Sequence, residues 1–101
     1  MVRGHLDFLL LGVLQRGAQH GYSIIAALHE RSDGEFDMPE GTVYPALHKL
    51  EAAGLVASAW STEGGRKRRI YSLTAGGRGA LAEQKREWRR FARGVEAVVW
   101  A

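Results

Sequence analysis

The densest chemistry in this 101-residue chain is a run of four cations, Arg66-Lys67-Arg68-Arg69, directly after Gly64-Gly65. Four consecutive positive charges at a glycine turn suit the neutralisation of phosphate. They do not stand alone. Residues 1–63 hold four basic residues against eight acids, a net −4, whereas residues 64–101 hold ten against three, a net +7. The overall charge of +3 therefore conceals a positive final third, and that asymmetry points to contact with a polyanion.

A second set of candidate groups lies in PEGTVYPALHKLEAAG, residues 39–54. Val43, Ala46, Leu47, Leu50 and Ala53 recur with the spacing of one helix face. The opposite face carries Gly41, Tyr44, Pro45, His48, Lys49 and Ala52, without the Glu–Lys pairs usual on a solvated surface. Such a face suits insertion into a DNA major groove, with Tyr44, His48 and Lys49 reaching base edges or flanking phosphates. It has no Arg, Asn or Gln, so thymine-methyl contacts from Tyr44 or Pro45 and DNA shape must carry much of any specificity. Tyr22 and Ser23 fall at the start of another predicted helix, where free amides and hydroxyls favour a phosphate.

Other chemistries find no footing. There is no cysteine, so disulfides, thiolate metal sites and cysteine nucleophiles are absent. His5, His20, His29 and His48 lack metal-ligand spacing, no nucleophile–base arrangement or phosphate loop is visible, and Gly76-Gly77 has no surrounding fingerprint. No enzyme, cofactor or metal site is expected. The hairpin lacks the paired aromatics of an RNA-stacking platform.

These groups need a scaffold, and the chain length allows one domain with a modest core. Leu6–Arg16 reads as a helix apolar nearly all round, which predicts burial on two sides, the second against another copy. The same opening stretch contains Asp7 and no small-residue cleavage site, so a leader peptide is not expected, nor is any membrane span. His20–Arg31 reads as the second helix and the acidic SDGEFDM, residues 32–38, as a turn. The third helix starts with Asp37 and Glu40 as a capping box, has Pro39 in its first turn, is disturbed near Gly41 by Pro45, and stops at Gly54. Leu55–Ser61 and Arg68–Leu73 read as two strands joined through TEGGRK, a basic wing whose four cations lie along the minor groove or the backbone. Thr74 caps a final helix from Ala75 to about Val99.

That last helix carries Leu81, Gln84, Trp88, Phe91, Val95 and Val98, spaced 3, 4, 3, 4, 3, as in a coiled-coil seam. With the core served by the earlier elements, the seam predicts a homodimer. Its contacts are Leu6 and Leu10 from the first helix and Leu81, Trp88, Phe91, Val95 and Val98 from the last. The fold class is therefore mainly α with a small β-hairpin (α+β). Its order, ααα-β-wing-β-α, is a winged helix-turn-helix over residues 1–74 followed by a dimerisation helix over 75–101.

Three separated segments, LLLGVLQRGAQHGYSII, GTVYPALHKLEAAGLV and GGRKRRIYSLTAGGR, followed by a long Trp-bearing helix, resemble the PadR family of bacterial transcriptional regulators. The likeness covers about Leu6 to Val99, and the single C-terminal helix resembles the compact subfamily. The resemblance implies a dimeric, DNA-binding repressor in the bacterial cytoplasm, nucleoid-associated when bound, acting at a pseudo-palindromic double-stranded operator. The family's third-helix motif falls on Gly41, Thr42, Val43, Tyr44, Pro45 and Leu47, its second-helix motif on Gly21 and Tyr22, and its wing on Gly65, Arg66, Lys67 and Arg68, with Tyr71 after it. It also implies an aromatic small-molecule effector stacked on Trp88 at the dimer centre, with Phe8 and Phe91 beside it. Lys85, Arg86, Arg89 and Arg90 flank that position, so an anionic aromatic is expected there rather than a cationic one. The alternative reading is a winged-helix protein-interaction module without ligand sensing, which an uncharged wing would suit better than RKRR.

Overall fold

A computed structural model describes residues 5–101; the first four residues of the stretch weighed as a leader lie outside the described residues. Among the described residues the elements are α1 (Leu6–Leu14), β1 (Gln19–His20), α2 (Gly21–Arg31), α3 (Glu40–Ala52), β2 (Val56–Ser61), a 3₁₀ turn at Glu63–Gly65, β3 (Arg68–Leu73) and α4 (Ala75–Val99). The winged helix-turn-helix is present, and its last helix has the limits that periodicity and the Thr74 cap predict.

The sheet differs from a plain hairpin. Among the described residues it has three antiparallel strands in the order β1-β3-β2, with Gln19 opposite Tyr71 and His20 opposite Ile70. Two residues carry no readable alternation, so β1 exists only because β3 offers it a free edge. In the β2–β3 ladder Ser58 faces Tyr71 and Trp60 faces Arg69. One sheet face thus presents Val56 and Tyr71, both buried, to the helices.

The core assembles from stripes read in the sequence. Val43, Leu47 and Leu50 of α3 meet Ile24, Ala27 and Leu28 of α2 and the apolar residues of α1. Here one expectation is corrected. Leu6 and Leu10 are 5% and 0% exposed, and Leu81 of α4 is 4% exposed, so all three belong to the core of the single chain rather than to a surface facing a partner. The reason is that α1 is walled in by its own chain: it packs against α2, α3, β3 and also α4. Its second apolar side is covered by the base of the long helix.

The reading of the α3 start is corrected as well. Pro39 is the N-cap, Asp37 makes no capping bond, and the amides of Thr42 and Val43 both donate to the Pro39 carbonyl at 3.0 and 3.1 Å. Pro45 causes no break. The bond it cannot make would have ended on Gly41, an exposed residue whose carbonyl water can serve.

Helix α4 is docked along its first half. Thr74 Oγ1 accepts from the Gly77 N–H at 3.0 Å, and a Cβ at Gly77 would collide with the Leu55 carbonyl oxygen. The helix can lie this close because position 77 has no side chain. At 1.5 Å per residue its 25 residues span about 37 Å, and the molecule measures 56 × 28 × 21 Å, because the outer turns project from the domain.

Two outcomes follow from this packing. Gly77→Ala forces α4 off the β2 lead-in and should lower unfolding stability by about 1–3 kcal/mol, read from urea denaturation. Burial pushes the Tyr71 phenol above its ordinary 10.0. Its neutral form is favoured by folding, so that contribution is complete below pH 10 and is lost as pH rises through the raised value. Stability measured in that alkaline window should therefore fall less steeply for Tyr71→Phe than for the parent.

Candidate nucleic-acid interface

Three stretches far apart in sequence meet in one cleft of about 270 Å³, between the start of α2, Tyr44 of α3 and the wing. It is lined by His20, Gly21, Tyr22, Tyr44 and Arg66–Arg69. Pairing of β1 with β3 brings this about, since it seats the N-terminus of α2 against the wing strand. The positive end of the α2 dipole and the wing cations then share one concavity, an arrangement that suits an oxyanion.

Contacts inside the cleft are specific. Tyr44 lies across Gly21, where any Cβ would collide with the phenol ring and hydroxyl. Arg68 Nη1 stands 2.9 Å from His20 Nε2. Ser23 Oγ lies 3.0 Å from the same nitrogen. Tyr22 is 64% exposed. Its phenol is held above its ordinary value chiefly by a hydrogen bond to Glu40, with the Glu40 charge adding and Arg66 opposing. Burial does the same to Tyr44, helped by Glu40. Both tyrosines therefore stay neutral donors at physiological pH.

The expected contact residues divide by position. Tyr22, Tyr44, Arg66, Lys67 and Arg68 converge on the cleft. Gly41, Pro45, His48 and Lys49 are exposed along the outer face of α3 and Thr42 is half-buried. Ser23 is half-buried and engaged with His20, so its hydroxyl is not presented freely to solvent. Arg69 departs from the four-cation grip: its Nε donates to Ser58 Oγ at 2.8 Å, and its Nη2 lies 3.9 Å from Glu51 Oε2. His20 was not foreseen, because its role arises from a strand too short to leave a pattern.

A second, larger cleft of about 750 Å³ lies between α1 and α4. It brings together Phe8, Trp88 and Phe91, the three aromatics expected around an effector, with His5, Asp7, Gln84 and Glu87. The Trp88 ring stands 6.3 Å from Phe8 and 5.9 Å from Phe91, and His5 meets its edge at 5.3 Å. The charge expectation is corrected. The cleft is lined by carboxylates, Asp7 and Glu87, and not by Lys85, Arg86, Arg89 or Arg90. Successive helix positions face different ways: Lys85 turns to Gln15 Oε1 at 2.7 Å, and Arg86 pairs with Glu83.

Beyond this cleft the seam is bare. Phe91 is 63% exposed and Val98 81%, and Val95, Val99 and Trp100 are exposed too. The Gln84 Oε1 atom, by contrast, is buried and has no hydrogen-bond partner among the described residues.

Residues 10–83 match the transcriptional regulator PadR-like family. The transcriptional regulator Rv3488 of Mycobacterium tuberculosis is 44% identical over 66 residues, which are 65% of this chain and 62% of that protein. A PadR family transcription regulator from hypervirulent Clostridium difficile R20291 superposes with a TM-score of 0.83 at 34% identity, covering 97% of this chain and 100% of the other. Bacillus subtilis PadR, solved in complex with operator DNA, superposes with a TM-score of 0.71 at 26% identity, covering 78% of this chain and 45% of that one.

The Gly21–Tyr44 contact gives a direct check on the cleft. Gly21→Ala should cost about 1–3 kcal/mol through overpacking. Combined with Tyr44→Ala it should cost less than the two single changes together, because the ring it collides with is gone. Additive losses in a denaturation cycle would show that the two residues do not touch.

Proposed function

The chain belongs to the PadR-like family of transcriptional regulators, whose members are not enzymes, and from that premise we propose that it acts as a homodimeric repressor of double-stranded DNA. The observation that carries this reading is the cleft joining the α2 N-terminus, Tyr44 and the wing cations. The operator complex of Bacillus subtilis PadR supports it. In this account α3 enters the major groove. Gly41, Thr42 and Pro45 allow close approach, Tyr44 and Pro45 meet thymine methyls, and His48 and Lys49 reach base edges or phosphate. Tyr22, Arg66, Lys67 and Arg68 hold the backbone, and Ser23 acts through His20 rather than on phosphate itself. With so few bidentate groups on α3, operator shape supplies the remaining discrimination.

Residues 75–101 serve as the dimerisation helix. Trp88, Phe91, Val95 and Val98 form an apolar stripe on a helix whose outer half touches little of its own domain, and such a helix is marginal in water alone. A second copy laid along it buries that stripe. The dimer then offers two reading heads to a pseudo-palindromic operator with half-sites about 34 Å apart. The aromatic cleft beside the seam takes a flat effector against Trp88. Asp7 and Glu87 favour a cationic aromatic, and its binding shifts the spacing of the heads and so the DNA-competent population. No described helix is long and apolar enough to cross a membrane, and the site of action is the nucleoid.

Two measurements test this. Arg66→Ala with Lys67→Ala should weaken duplex binding and flatten its salt dependence by about 0.9 per lost phosphate contact; an unchanged slope removes the wing from the interface. Val95→Glu should sediment as a folded monomer at concentrations where the parent is a dimer. If the parent is itself monomeric there, the seam has no partner.

A further inference from the structure

An exposed tryptophan on the wing has no part in the contacts assigned so far. Trp60, in β2, is 58% exposed and stands opposite Arg69 of β3. Two cations lie over its ring: Lys67 Nζ at 5.0 Å from the centroid and Arg69 Cζ at 5.2 Å. A ring placed so is attractive to both through its quadrupole, and it covers their aliphatic stems. Arg69 is held from its other side as well. Its Nε donates to Ser58 Oγ at 2.8 Å, that hydroxyl donates to Glu51 Oε2 at 2.7 Å, and Arg69 Nη2 lies 3.9 Å from the same oxygen. Glu51 belongs to the last turn of α3.

A continuous series of contacts therefore runs from the end of α3 through Ser58 and Arg69 to Trp60 and on to Lys67 at the wing. The buried part of the sheet ends at Val56 and Tyr71, and past them the hairpin is supported on one edge only, by the pairing of His20 with Ile70 and its contact to Arg68. A two-stranded ribbon with so little support is only marginally ordered and free to twist. We propose that Arg69 and Glu51 are positioning residues: together with Trp60 they set the angle of the wing to α3 and hold Lys67 at the tip. Arg69 does not itself neutralise phosphate. The cation run is divided by function: Arg66, Lys67 and Arg68 serve the cleft, Arg68 beside His20, whereas Arg69, at the edge of the same cleft, is held by Ser58 and Glu51 toward α3.

This inference rests on the DNA-binding reading, and its test has one arm that does not. In the first arm, affinity for a mixed-sequence duplex is measured across a salt series. Arg69→Gln and Glu51→Gln should each weaken binding by about fivefold with the salt slope unchanged. The double variant should be no weaker than either single one. Arg66→Gln, the control for a true phosphate contact, should flatten the slope by about 0.9. In the second arm, without DNA, amide hydrogen exchange is followed in the parent and in Arg69→Gln. The change should accelerate exchange over residues 60–68 and leave α1 to α3 as they were. A slope lowered by Arg69→Gln as much as by Arg66→Gln makes Arg69 a phosphate contact and overturns the proposal. So does unchanged exchange in the wing. If the parent binds no duplex at any salt concentration, the DNA reading fails instead, and the exchange arm still decides whether Arg69 orders the wing.

Discussion

One hydroxyl joins the two halves of the molecule. Thr74 Oγ1 donates to the Gly54 carbonyl at 2.6 Å, just beyond α3, and accepts from the Gly77 amide in the first turn of α4. The Thr74 amide donates to the Leu55 carbonyl at 3.2 Å. The end of α3 and the start of α4 thus share a single residue, and Gly77 allows the backbone of α4 to rest on the Leu55 carbonyl. Leu81 then fixes the base of α4 in the core, so the outer turns extend from a rigid mount. A ligand site on α4 and a reading surface on α3, as proposed above, would be coupled through this junction.

The electrostatics are arranged to match. Acids gather in the turn before α3 and in the cleft beside Trp88, and the cations are concentrated on the wing and along α4. In the cleft between α2, α3 and the wing, two tyrosines with raised phenols stand near His20 and Arg68. Glu40 lies near enough to raise the Tyr22 phenol. In the proposed complex, charge would be concentrated where the protein meets the backbone and sparse where it meets base edges.

Much of this was legible from residue order alone. Helix periodicity, the cap at Thr74 and the glycine-rich basic tip sufficed for the order of elements, and the limits of α4 followed from the cap and seam. Val43, Leu47 and Leu50 announced the buried face of α3. What stayed hidden depended on contacts between distant segments. β1 has two residues and acquires its identity from β3. The interior placement of Leu6 and Leu10 follows from the base of α4 folding back over α1, which no local pattern records. Arg69 looks the same as its three neighbours in sequence; only strand alternation and the reach of Glu51 separate it from them. The acidic character of the Trp88 cleft was masked because the cations one position away point elsewhere.

In the proposed complex two copies, joined along α4, apply two reading heads and two wings to one face of a duplex. Hydroxyl-radical footprinting on a DNA fragment selected for binding to the protein puts this to the test. Two protected backbone patches of equal strength should appear, related by symmetry and about one helical turn (roughly 34 Å) apart, each flanked by a wing-protected segment. A single patch, or uniform protection along the fragment, would contradict it.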